Sequence, residues 1–151
     1  MPTPPPRDAA GIVEPHDHPE IGADDGVIRK ISERQLVTDR HGVRRISSLA
    51  YQASGGPKGG MSVDIERFIT DANVNAQTWV TTPRWIGSVR FAAGFLRGQF
   101  FKVGYDPLEQ IGEQEANPYH GEVWGEFTRK QKQAVQQAAE WFVPIDGVDL
   151  A

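Results

Sequence analysis

His120 and Glu122 stand two residues apart in NPYHGEVWGEF, Asn117 to Phe127, and that spacing in a strand puts an imidazole and a carboxylate on one face. A carboxylate beside a histidine orients the ring and favours its protonated form, the arrangement from which general acid–base catalysis starts. Arg45 is the residue type that would hold a phosphate, and Tyr51 or Tyr119 could stack on a base. His120, Glu122 and Arg45 are therefore the candidate catalytic set, for a reaction on a nucleotide or RNA. Arg44, Ser47, Ser48, Tyr51, Tyr119 and Trp124 are the candidate binding residues. The structural alternative is equally concrete: Asn117-Pro118 is an ordinary turn into a strand, and one histidine makes no mechanism.

Other motifs carry less chemistry. His16 and His18 in PHDH flank Asp17, and these donor types suit zinc or nickel, but a metal site needs more ligands held by a fold. His41 falls in a turn. The sequence supports no metal site and no cofactor. The loop ASGGPKGG, Ala53 to Gly60, has the glycines of a phosphate-binding turn without the Gly-Lys-Ser/Thr that would end one at a helix start. Arg45, Ser47 and Ser48 are residue types used by ADP-ribosyltransferases. They are adjacent here instead of lying on separate strands, so no role is carried over from that family.

The elements that must position these residues follow from pattern and punctuation. Val27, Ile28 and Ile31 predict a first strand, Gln35 to Thr38 a second, and DRHG a tight turn into Val43 to Ile46. Arg29, Lys30, Arg34, Arg40, Arg44 and Arg45 make this region basic enough to meet phosphates. Ser62 before VDIERFITDA predicts a short capped helix, and TWVTTP an extended segment. A helix is expected over about 88–97, a buried strand at FFKVGYDPL, a polar loop at EQIGEQEAN and a strand at HGEVWGEF. Thr128 caps a final amphipathic helix whose apolar face is Ala134, Val135, Ala138, Ala139 and Phe142. The sum is an α+β domain: a small, mostly antiparallel sheet packed by two or three helices.

Composition sets the outer bounds. A chain of 151 residues, 38% hydrophobic and 24% charged, suits one domain with a real core. It has no cysteine, which removes disulfides and thiolate chemistry and fits a cytoplasmic address. No apolar run is long enough to span a membrane. Of the 20 acidic residues, Asp8, Glu14, Asp17, Glu20, Asp24 and Asp25 crowd the first 26 positions against Arg7 alone. That proline-rich leader predicts a disordered acidic tail over 1–26 and a globular domain over 27–151.

RxSSxAY (Arg45 to Tyr51), GMSVDIE (Gly60 to Glu66), VGYDPL (Val103 to Leu108) and NPYHGEVWG (Asn117 to Gly125), followed by a terminal helix, together resemble a group of small bacterial proteins with no established activity. The resemblance spans Ile28 to Val143 and implies one intact domain of bacterial origin. With no complete catalytic constellation and with Trp85, Trp124 and Trp141 of a type enriched at interfaces, the leading expectation is a non-enzymatic interaction or accessory module of a bacterial multi-component system, binding a protein partner. The enzyme using Arg45, His120 and Glu122 is the alternative. Nucleic-acid binding through residues 29–45 is possible but not favoured, because the body is close to neutral.

Overall fold

The computed structural model describes residues 2–150. Nine strands and four α-helices follow in the order β1 (Gly26–Ser32), β2 (Leu36–Thr38), β3 (Arg44–Ile46), β4 (Met61–Ile65), α1 (Glu66–Asp71), α2 (Ala76–Val80), β5 (Trp85–Ala92), α3 (Ala93–Gly98), β6 (Lys102–Tyr105), β7 (His120–Trp124), α4 (Arg129–Ala138), β8 (Glu140–Val143) and β9 (Val148–Asp149). Six strands form an antiparallel sheet in the order β6-β7-β4-β1-β5-β8, and β2-β3-β9 make a second, smaller sheet in which β9 runs parallel to β3. The fold is α+β, as the pattern predicts, with four helices instead of two or three.

Alternation along the strands divides the large sheet into two unlike faces. Val27, Ile31, Met61, Val63, Ile65, Val89, Phe91, Val103 and Val123 point into the main core, closed by Ile46 and Val148 of the small sheet, Leu96 of α3 and Val135 of α4. On the opposite face Ile28 is buried under Ile69, Ala76 and Val80 of α1 and α2. Asp64 pairs with Ile28, His120 with Asp64, and Glu122 with Ser62, so the same face turns polar within one strand spacing.

Several local expectations are overturned by packing. The predicted capped helix at Ser62 is strand β4, because Val63 and Ile65 are buried at period two; the helix starts only at Glu66, with no side-chain cap. The first half of TWVTTP is not extended: Asn75 accepts from Thr78 N and caps α2, which ends at Val80. The first half of the helix expected over 88–97 is β5, whose Val89 and Phe91 face the core, and the second half is helical from Ala93. Thr128 does cap α4, as Gln131 N donates to its hydroxyl. That helix stops at Ala138, and Phe142, expected on its apolar face, belongs to β8.

The leader is the largest correction. Residues 2–25 are not a free tail: Val13, His18 and Ile21 are buried, and the segment wraps the exposed edge of the sheet at β6. Val103 N donates to Asp17 Oδ1 at 2.9 Å, Tyr105 N to His16 Nε2 at 3.1 Å, and His18 N to Val103 O at 3.0 Å. The open ladder groups of an edge strand are thereby satisfied, which is how proteins prevent edge-to-edge pairing. The PHDH motif that suggested loose metal ligands is the edge cap. No helix among the described residues is long and apolar enough to cross a membrane.

Candidate functional site

The polar half of the second face gathers around His120. The hydroxyl of Ser62 on β4 hydrogen-bonds to His120 Nε2 on the neighbouring β7. His120 Nδ1 lies 2.7 Å from the carbonyl oxygen of Asp106, just beyond β6, and 3.9 Å from its carboxylate. A ring nitrogen facing a carbonyl must carry the proton, so Nδ1–H donates to Asp106 and Nε2 accepts from Ser62. Glu122 Oε1 sits 3.9 Å from Nε2.

The electrostatics follow from burial. His120 is 5% exposed, and desolvation lowers its pKa, opposed by the Asp106 carbonyl and carboxylate. Burial raises the Asp106 carboxyl, with His120 pulling the other way. Glu122 is pushed up to about 7, first by burial and then by the Asp106 charge, against the pull of Arg29. Its Oε2 is buried without a hydrogen-bond partner. Deeper on the same face, Asp64 is fully buried; Oδ1 accepts from Asn117 Nδ2 at 2.7 Å, and Oδ2 lies 3.5 Å from Lys30 Nζ.

Two segments cover the cluster. The glycine-rich stretch 54–60 passes over Glu122, where a Cβ at Gly60 would collide with the carboxylate and force it to shift. The leader lies beside it, with Ile12 and Val13 against the same space and the His16 ring tilted against the Trp124 ring, 5.2 Å between centroids, above Gly104. Asp8 and Lys58 join the two covers at 2.9 Å. The space left inside, lined by Asp106, Glu122 and Trp124, is about 20 Å³, enough for one water-sized occupant.

The predicted site residues separate. His120 and Glu122 converge and Trp124 adjoins them, 5% exposed. Arg45 does not join: it is on the small sheet, with Nε 2.9 Å from Asp39 Oδ2 and Nη1 2.8 Å from Leu150 O. Arg44 faces Glu33 at 4.0 Å. Ser47 accepts from Leu49 N to cap a short 3-10 helix that includes Ser48. Tyr51 is a core residue against Phe91, and Tyr119 packs edge-on against Trp79 at 5.0 Å.

The arginine beside the cluster is Arg29, which donates to Ala50 O at 2.9 Å, Ser54 Oγ at 3.1 Å and Ser62 O at 2.7 Å. Its signal was legible: period two places Arg29 inward between Val27 and Ile31, where a charge must be bonded. Ser62 and Asp106 carried no such mark, since only strand pairing brings them to His120. No family model, curated protein or solved structure matches the chain.

Tyr51 supports one prediction. Burial pushes its phenol up to about 12 from an ordinary 10, so the unfolded chain ionises first as pH rises. The stability Tyr51 contributes is complete below pH 10 and is lost towards pH 12, by about 2–3 kcal/mol. Urea titrations of the wild type and Tyr51→Phe at pH 8 and pH 11 are expected to differ in this sense, the variant losing less between the two.

Proposed function

We propose that the protein is a binding module that takes an extended, proline-bearing segment of a partner protein, as an accessory part of a multi-component bacterial system. The observation that carries this reading is the division of space in the fold. A groove of about 530 Å³ runs between the leader, α1 and the turn into β7, lined by Pro19, Phe68, Tyr105, Pro118 and Tyr119, with Arg67 and Asp71 also bordering it. Its volume is that of a ligand cleft, and aromatic walls favour polyproline conformations, which enter with little ordering entropy. The acid–base cluster has space for a water and none for a substrate.

Nucleic-acid binding is disfavoured because four of the six cations that suggested it have partners. Arg29 is spent on carbonyl and hydroxyl groups, and Lys30, Arg44 and Arg45 face Asp64, Glu33 and Asp39. Catalysis keeps one observation of its own, the Ser62 hydroxyl donating to a neutral imidazole, and requires stretch 54–60 to move aside.

Titration of isotopically labelled protein with a proline-rich decapeptide tests the reading by amide shifts. Shifts are expected around Arg67, Phe68 and Tyr119, and Tyr119→Ala is expected to weaken binding at least tenfold. Absence of shifts at millimolar peptide would sink the module reading. Shifts centred on Ser62 and His120, indifferent to Tyr119→Ala, would move the function to the catalytic alternative.

A further inference from the structure

A second feature of the sheet is independent of the groove. Asp106, His120 and Glu122 each offer one ligand atom, and these atoms all lie within 4.8 Å of one another. We propose that these three side chains bind a single divalent transition-metal ion, in the class of zinc or manganese.

Three independent observations point to an occupant. Glu122 is 9% exposed, and its Oε2 is buried with no hydrogen-bond partner, a state that costs free energy unless something fills it. The adjoining space of about 20 Å³ touches both carboxylates and matches one ion or one ion-bound water. The cations nearby are engaged elsewhere: Arg29 on Ala50, Ser54 and Ser62, and Lys58 on Asp8. Glu122 is buried and Asp106 half-buried, and a cation bound between them would offset their charges.

The histidine is set up as a ligand. Metal-bound histidines donate their second ring N–H to a carbonyl or carboxylate, which fixes the tautomer, and Nδ1–H of His120 already donates to Asp106 O. Nε2 carries the lone pair, which now accepts from the Ser62 hydroxyl and becomes open to a ligand once that hydroxyl rotates away. One imidazole and two carboxylates suit borderline and hard divalent ions, with the remaining positions taken by water. No metal motif is legible here because the ligands come from a loop and one strand, at 106, 120 and 122. The histidines that did suggest a metal, His16 and His18, are used to cap the sheet edge.

The test uses the full chain freed of metal by chelation and titrated with zinc chloride or manganese chloride in a calorimeter. One saturable site is expected, with a rise in Tm, and both are expected to fall at least tenfold in Asp106→Asn and Glu122→Gln while His41→Ala behaves as wild type. Manganese is also expected to broaden wild-type amide signals around Asp106, His120 and Glu122, a readout that needs no variant to fold. Lack of saturable binding by either ion, or broadening centred on another part of the chain, overturns the proposal. Failure of the peptide titration leaves it standing, and failure of the metal titration leaves the groove standing.

Discussion

Removing residues 1–26 is expected to lower folding stability by about 5 kcal/mol or more, which is most of what a small domain has. Ile21 and Val13 are 2% and 4% exposed, and returning such side chains to water costs about 1.5–3 kcal/mol each. The three bonds made at Val103 and Tyr105 add about 1 kcal/mol each, and the one to the Asp17 carboxylate more. The loss has a second symptom. With Val103 and Tyr105 uncovered, β6 becomes an open edge, so the truncated chain is expected to self-associate on size exclusion. Asp17→Ala is the milder version: it frees both Val103 N and Arg97 Nε and is expected to cost about 1–3 kcal/mol. A truncated chain with wild-type urea midpoint and monomeric elution would restore the disordered-tail reading.

The second large effect is expected at Lys30. Its ammonium lies 3.5 Å from Asp64 Oδ2, a carboxylate whose other oxygen is held by Asn117. Lys30→Met leaves that charge buried and uncompensated, which costs about 3–5 kcal/mol in comparable pairs. The lower end is expected here, because the Lys30 side chain remains a quarter exposed. The ammonium also lies 5.4 Å above the Trp85 ring, a smaller contribution lost in the same variant. Lys30→Met combined with Asp64→Asn removes both charges and keeps an acceptor for Asn117, so it is expected to recover most of the loss. A single-variant cost below about 1 kcal/mol in urea denaturation would mean the pair does not hold the charge as its burial implies.

His120 and Glu122 were found because both lie on one strand, where spacing alone fixes which side chains share a face. The DRHG turn was found for a similar reason: Asp39 bonds to His41 N and Val43 N within the same few residues. Arg45 was misassigned because its relation to His120 depended on which sheet its strand joined. That is set by a parallel pairing with Val148 and Asp149, more than 100 positions away. The leader was misread for a related reason. Its composition is that of a disordered segment, and two buried apolar residues with a few edge bonds outweigh composition only because a strand edge was waiting for them.

The sequence by itself determined that this is an α+β domain, that His120 and Glu122 lie on one strand, and that they point the same way, since those properties follow from local periodicity and turn chemistry. Tertiary structure alone decided that Ser62 and Asp106 complete the cluster, that Arg29 stands beside it in place of Arg45, and that the acidic leader closes the sheet. Each of those depends on strand order and register, and the free energy that selects them is the burial of a shared core, which no single segment carries.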